Sequence, residues 1–189
     1  MNIYDEYPTT VEVDGETVFL NLAYDRVLRV IDIQDDQSMT ASDKIFAQCA
    51  WLLADADRIP PDTATQAKII RAVFDLFPKR EDQSGERYID FHQDAALIRT
   101  AFFRIGIDLL SQKIHFLQFL ELLADLPKDT ALMRTVELRQ RPLPKPNGHN
   151  QEEIAELQKA KSRVAIRMSE DERRRRFAES LKNSSVLRG

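Results

Sequence analysis

FHQDAALIRTAFFRIGIDLLSQKIHFLQFLELLADLPKDT, residues 91–130, decides the fold, because its dense apolar pattern holds four Asp and two of the chain's three His. The apolar residues recur at helical spacing. They predict one helix over about residues 90–105 and a second, apolar on nearly every side and therefore central, over about residues 109–123. Gly106 is expected to end the first helix in the left-handed conformation. The stretch therefore predicts a helical packing core.

The acidic residues of this stretch are interpreted as structural caps. Asp90 suits an N-cap, and Asp94 suits the first helical turn, where the positive end of the helix dipole favours a carboxylate. Asp108 precedes the second predicted helix, and Asp129 or Thr130 precedes a short further helix. Capping accounts for these positions without any catalytic role.

Catalytic and metal-binding interpretations are weaker. Asp90, His92 and Asp94 could form a ligand or acid–base set, but His92 lies opposite the apolar stripe, and helical metal sites usually space their ligands at i and i+4. His115 could be a base tuned by burial, yet no Ser, Cys or second acid accompanies it at a diagnostic spacing. Cys49 is the single cysteine and reads as a small buried apolar residue. We expect no catalytic, cofactor-binding or metal site, no cofactor and no enzymatic activity.

The start of the chain carries the clear β signal. In TVEVDGETVFL, residues 10–20, an Asp-Gly pair lies between two alternating runs, and this is the strongest short-range signature of a hairpin with a type I′ turn. A two-residue turn pairs Val11 with Val18 and leaves Val13 and Leu20 on the same face. Because a lone hairpin is marginal in water, that face is expected to pack on helices.

The segment between the hairpin and the opening stretch is read as helical. Thr40 with Asp43 predicts a capped helix start, and Asp62 follows two prolines that end this helix and start the next, which ends before Pro78. A hairpin and five helices are predicted to form a body over residues 1–140. The fold class is therefore mainly α: a compact helical domain with a small N-terminal β-hairpin, followed by a helical C-terminal tail.

The composition changes after the body. RPLPKPNGHN, residues 141–150, is predicted to be a linker, because three prolines in five residues hold the chain extended. Residues 1–149 hold 17 Lys and Arg against 24 Asp and Glu, whereas residues 150–189 hold 10 against 7. Residues 151–189 are expected to form a basic, partly flexible helical tail, since the helices predicted there have too little apolar surface to be stable alone.

The tail is where a partner-binding surface is predicted. Four consecutive arginines could meet nucleic acid, but consecutive helical residues point in different directions, and the acids that flank them repel phosphate. A partner protein is therefore favoured over nucleic acid. The residues assigned to this surface are Ile154, Leu157, Val164, Arg173, Arg174, Arg175, Arg176 and Phe177.

Membrane and secreted classes are not favoured. The longest nearly apolar run, residues 114–123, is about half of the roughly 20 residues that a membrane-spanning helix needs. The first ten residues, MNIYDEYPTT, lack the basic start and apolar block of a signal peptide. A protein of the reducing cytoplasm is expected.

Three segments resemble the bacteriophage gene-product-fifteen family of tailed siphoviruses and prophages: VEVDGETVFLNL, DFHQDAALIRTAFFRIGIDL and IHFLQFLELLADLPKDTALMRTVELR. The family pattern comprises a hairpin, an acid-led helix running into Gly-Ile-Asp-Leu, an aromatic helix, and a Leu-Pro-x-Asp-Thr turn before an Arg-bearing helix. The resemblance covers about residues 7–140, the middle by helical character alone. Phe116 and Leu117 stand where members often carry two tryptophans, and the basic tail lies outside the resemblance. The matching positions after the hairpin are Asp90, Phe91, Asp94, Ala95, Ile98, Phe102, Gly106, Ile107, Asp108, Leu109, His115, Phe119, Leu126, Pro127, Asp129, Thr130 and Arg139.

The resemblance implies a phage tail-assembly chaperone, because such genes typically lie between those of the major tail protein and the tape-measure protein. These two proteins are the implied partners, and a homo-oligomer is possible. Such a chaperone works in the cytoplasm of the bacterial host and is absent from the finished virion. The alternatives are a structural virion component, such as a tail-completion or connector protein, and a small nucleic-acid-binding regulator.

Overall fold

The computed structural model describes residues 5–78 and 87–167, and these residues are mainly α-helical with one β-hairpin, as the sequence predicted. Among them, no helix has both the length and the apolar character needed to cross a membrane. The elements are β1 (Thr10–Val13), β2 (Glu16–Phe19), α1 (Tyr24–Asp35), α2 (Ala41–Leu52), a short 3-10 helix (Ala56–Arg58), α3 (Thr63–Asp75), α4 (Ala95–Arg104), α5 (Phe116–Ala124), α6 (Ala131–Gln140) and α7 (Gln151–Val164).

Two compact units make up the chain. The first unit combines Met1–Gly85 with Phe102–Leu126. The second unit combines Glu86–Ala101 with Pro127–Gly189. The hairpin, α1, α2, α3 and α5 therefore belong to the first unit, and α6 and α7 belong to the second.

The hairpin forms with the predicted register. Its turn residues both have positive φ, 52° at Asp14 and 84° at Gly15, as a type I′ turn requires. Val11 pairs with Val18, which confirms the prediction. Val13 is buried on the face of β1 that packs against α3, and this helix supplies the cover that a lone hairpin lacks.

Side-chain caps start α2 and α3 where the sequence placed them. The Thr40 hydroxyl accepts from the Asp43 backbone N–H at 3.2 Å and donates to the Asp43 carboxylate at 2.7 Å. Asp62 accepts from the Thr65 N–H at 2.8 Å and begins α3. α1 was not among the five predicted helices, because Ala23 at its N-cap has no side chain that could cap it.

Stacked aromatic rings fill the core of the first unit. The Phe102 and Phe119 rings lie 5.1 Å apart, and Tyr24 stacks on Phe119 at the same distance. Phe77 meets Phe116 edge to face at 5.0 Å. Burial of rings of this size is the largest apolar contribution that one side chain can make to stability.

Both helices of the opening stretch begin later than predicted. The second begins at Phe116 rather than near residue 109, because the backbone just before it pairs with the chain near α1. The Phe116 N–H donates to the Leu22 carbonyl at 2.8 Å, and the Tyr24 N–H donates to the Ile114 carbonyl at 3.0 Å. The first begins at Ala95 after a turn over residues 90–94. Gly106 has a φ of 84°, as expected after that helix.

In the second unit, α7 packs against α6. Leu132 and Val136 of α6 are buried, and so is Leu157 of α7. The Lys161 ammonium donates to the backbone carbonyl of Arg139 at 2.8 Å. Thus α7, which follows the proline-rich segment, is held by α6, which precedes that segment. The sequence pattern had suggested that this helix needs a partner protein to be stable.

Candidate functional site

The turn before α4 carries the acids that the sequence singled out. The Asp90 carboxylate accepts from the backbone N–H groups of His92 at 3.0 Å and Gln93 at 2.8 Å. It therefore caps a turn rather than the helix itself, which corrects the expected N-cap. Hydrogen bonds of this kind replace the backbone partners that a turn lacks.

Asp94 is the centre of a buried ion pair and not a solvated first-turn acid. Arg139 donates to its two carboxylate oxygens at 2.6 Å and 2.9 Å, and the side chains of Arg139 and Asp94 are 6% and 3% exposed. Burial alone would raise the pKa of Asp94, but the hydrogen bonds from Arg139 and from the Asp90 backbone N–H lower it. The carboxylate is therefore held ionised for pairing.

Arg139 also ties separate segments of the second unit together. It donates to the Tyr88 carbonyl at 2.7 Å and, through Nε, to the Val164 carbonyl at the end of α7 at 2.6 Å. A planar guanidinium suits this role because its donors point in fixed directions. Within the sequence, only the family resemblance points to Arg139.

Gln93 makes a second tie to the end of α7. Its side-chain amide donates to the Ala165 carbonyl at 2.9 Å and accepts from the Arg167 N–H at 2.9 Å. Both bonds follow α7 directly, so they fix the chain that leaves this helix. The sequence carried no signal for this contact, since the partners lie more than 70 positions apart.

The imidazole ring of His115 makes hydrogen bonds through both of its nitrogen atoms. Its Nδ1 accepts from the Leu117 N–H at 3.1 Å, so this residue is the N-cap of α5. Because Nδ1 accepts, Nε2 carries the proton and donates to the Pro8 carbonyl at 3.0 Å. Tyr7 stacks on the ring at 5.0 Å and donates to Glu121 at 2.5 Å. Burial lowers the pKa of His115, although the Pro8 carbonyl and the Glu121 charge oppose the shift.

The other predicted caps differ in detail. Asp108 accepts from the Leu110 N–H at 3.0 Å and from the Ser111 hydroxyl at 2.9 Å, so it caps a turn where a helix start was expected. The N-cap of α6 is Thr130 rather than Asp129, and its hydroxyl accepts from the Met133 N–H at 3.2 Å. In each case a short side chain supplies the acceptor that the backbone needs.

Cys49 and Trp51 lie on α2. Cys49 is buried, and burial raises the pKa of its thiol to about 11, which keeps the thiol protonated and unreactive at neutral pH. Trp51 is partly exposed, with the guanidinium groups of Arg26 and Arg29 at 5.6 Å and 5.8 Å from its ring centroid. Both distances lie within the range of cation–π attraction.

The predicted partner-binding residues divide between α7 and the end of the chain. Leu157 is buried, and Ile154 and Val164 are half-buried, so their apolar surface is largely used within the protein. Burial argues against Leu157 as a partner contact, and the assignment of Ile154 and Val164 stays a prediction. Arg173, Arg174, Arg175, Arg176 and Phe177 lie outside the described residues.

Among residues 5–78 and 87–167, no group of three or more His, Cys, Asp and Glu could hold a metal ion. The contacts described above fix the fold.

A family model described as Bacteriophage Gp15 protein matches residues 3–166. No curated protein and no solved structure matches the chain.

Proposed function

We propose that this chain, which belongs to the bacteriophage Gp15 protein family, is a non-enzymatic tail-assembly chaperone. It binds the tape-measure protein, the tail-tube subunits or both during tail morphogenesis. The family match over residues 3–166 is the observation that carries the proposal. The position that genes of this family typically hold, between those of the major tail protein and the tape-measure protein, links the family to this role.

The state of the ionisable side chains supports binding rather than catalysis. Both ring nitrogens of His115 are used in hydrogen bonds within the chain, and both carboxylate oxygens of Asp94 are held by Arg139. The Cys49 thiol is buried and protonated. A general base or nucleophile must reach a substrate, whereas these groups already hold the fold together.

The exposed apolar side chains of the first unit support an apolar partner. Phe103 is 69% exposed, Leu110 is 67% exposed and Phe46 is 54% exposed. Contact with another protein would remove these apolar side chains from water. A tape-measure protein presents long apolar helices before the tail tube encloses it, so a helical surface with exposed rings suits this partner.

A pull-down tests the proposed partners. Tagged full-length protein is co-expressed either with the tape-measure protein or with the major tail protein encoded beside it, and the captured proteins are identified. We expect at least one of the two to be retained, and the matched control is an unrelated acidic protein of the same size. Retention of neither would contradict the chaperone function.

The composition of the virion separates a chaperone from a structural component. We propose that the protein acts in the host cytoplasm and is absent from the finished particle. Quantitative mass spectrometry of purified virions should therefore detect the tail proteins but not this chain. Detection at a fixed copy number would favour a tail-completion or connector protein instead.

A further inference from the structure

A groove of about 650 Å³ lies between the hairpin and the segment of residues 53–60 in the first unit. We name it the hairpin groove. The side chains of Val13, Val18, Leu53 and Ile69 give it an apolar lining. Val18 is half-buried and the other three are buried. Its volume falls within the range of about 300–1,000 Å³ that is usual for ligand pockets, which is room for several aliphatic side chains.

Hydrogen bonds fix the positions of the walls of the hairpin groove. At one end, the Ala54 N–H donates to the Phe19 carbonyl at 3.1 Å and joins the outer edge of β2 to the opposite wall. Further along, the Gln66 side chain donates to the Pro60 carbonyl at 2.6 Å and fixes the wall to α3. Because both walls are fixed, a ligand would meet a preformed site and lose little affinity to ordering the protein.

The rim of the hairpin groove is acidic. Asp14, Glu16 and Asp55 line it together with one cation, Arg58. Arg58 pairs with Asp55 at 3.5 Å, and Asp14 pairs with Lys68 at 2.7 Å. The backbone of Glu16 pairs with Val13 in the hairpin, but its carboxylate has no hydrogen-bond or ion-pair partner within the described part of the chain. The rim therefore keeps one carboxylate free to meet a positive charge.

We propose that the hairpin groove binds an apolar helical segment of a partner protein that carries Lys or Arg beside its apolar face. The apolar lining takes the nonpolar anchors of the helix, and the acidic rim, through Glu16, pairs with the flanking cation. Nucleic acid does not fit this surface, because the carboxylates repel phosphate. This inference rests on the proposed function. It adds the surface of the chain that holds a tail protein and the chemistry of that contact.

Two synthetic peptides test the chemistry of the hairpin groove without any tail protein. Both are fluorescently labelled helices of Leu and Ala, one flanked by Lys and the other by Glu. Their binding to the purified full-length chain is measured by fluorescence anisotropy. We expect the Lys-flanked peptide to bind about tenfold more tightly than the Glu-flanked one. Equal affinities, or no binding of either peptide, would overturn the proposal.

Three variants locate the binding. Val18→Trp fills the hairpin groove while keeping a residue that strands favour, so it should weaken Lys-flanked peptide binding about tenfold or more. Glu16→Lys should reverse the preference between the two peptides. Asp35→Lys, at the exposed end of α1 and outside the groove, makes the same change in net charge and should leave the preference as it is.

Unchanged binding by Val18→Trp, or equal effects of Glu16→Lys and Asp35→Lys, would place the peptide elsewhere and refute the inference. Circular dichroism establishes that each variant is folded, and Glu16→Lys decides the question by itself if Val18→Trp does not fold. The peptides involve no tail protein, so failure to bind both the tape-measure protein and the major tail protein would refute the proposed function alone. Normal binding of these tail proteins by all three variants would refute the groove alone.

Discussion

Arg139 and Asp94 form a bidentate ion pair that lies almost completely out of water, at 2.6 Å and 2.9 Å, although 45 positions separate them in the chain. An isolated buried charge is costly, so each of these residues depends on the other. The same guanidinium also holds the carbonyls of Tyr88 and Val164. The pair therefore joins the turn before α4 to α6 and to the end of α7.

Removing the arginine should destabilise the protein strongly. Arg139→Met leaves Asp94 as an uncompensated buried carboxylate, and we expect a loss of about 3–5 kcal/mol in the free energy of unfolding. Lys113→Met removes an exposed ion pair with Asp25 and should cost about 1 kcal/mol or less. Urea unfolding measures both. Similar losses for the two variants would show that the buried pair has no special role.

The same pair predicts how stability falls in acid. The folded protein lowers the pKa of Asp94 below its ordinary value of 3.8, so the stabilisation is present above about pH 4 and is lost as the pH falls through the lowered pKa. The gap in unfolding free energy between the natural chain and Asp94→Asn should be largest near neutral pH and shrink below about pH 4. Urea unfolding across the acid range checks this, and a gap that widens in acid would contradict it.

His115 predicts a second pH dependence, in a milder range. Protonation would give Nδ1 a proton that faces the Leu117 N–H and would abolish the cap of α5. Because the folded pKa is lowered from 6.5, stability is fully present above about pH 6.5 and falls as the pH drops from there toward the folded pKa.

His115→Asn keeps a good N-cap and removes the titration, so its stability should not change over that pH range. His149→Asn, which alters an exposed histidine of the second unit, is the matched control and should keep the pH dependence of the natural chain. Thermal unfolding measured from about pH 7.5 downward, through the range below pH 6.5, checks both variants. A pH dependence that persists in His115→Asn would assign it to another group.

The hairpin turn predicts a backbone effect. A Cβ at Gly15 would meet no atom within 4 Å, so the cost of Gly15→Ala comes from the positive φ of 84° alone. We expect a loss of about 1–2 kcal/mol in the free energy of unfolding. Asp14→Asn keeps a residue that tolerates positive φ and should change stability much less. Equal stabilities of the natural chain and Gly15→Ala would contradict the type I′ turn.

Local signals account for the parts of the fold that were predicted correctly. The Asp-Gly turn fixes the register of the hairpin because only two residues connect the strands, and Thr40 and Asp62 mark helix starts through their own side chains. α1 was missed because Ala23 gives no such signal. The start of α5 was misplaced because its flanking backbone pairs with Leu22 and Tyr24, about 90 positions earlier.

The contacts at the candidate site were harder to predict because they join distant segments. Nothing beside Asp94 in the sequence reveals that its partner is Arg139, so a helix-dipole role was the better local interpretation. His115 was weighed as a base tuned by burial, but its ring caps α5 and reaches Pro8. Local patterns predict caps and turns, whereas the burial of a charge depends on the whole fold.

The solubility of the tape-measure protein tests the central claim most directly. That protein is expressed alone, with the full-length chain, or with the unrelated acidic control, and its soluble fraction is measured after centrifugation. A chaperone should move it from the pellet into the supernatant, in complex with this chain and not with the control. A tape-measure protein that stays in the pellet, or that is equally soluble with the control, would contradict the claim that this chain is a chaperone of the tape-measure protein.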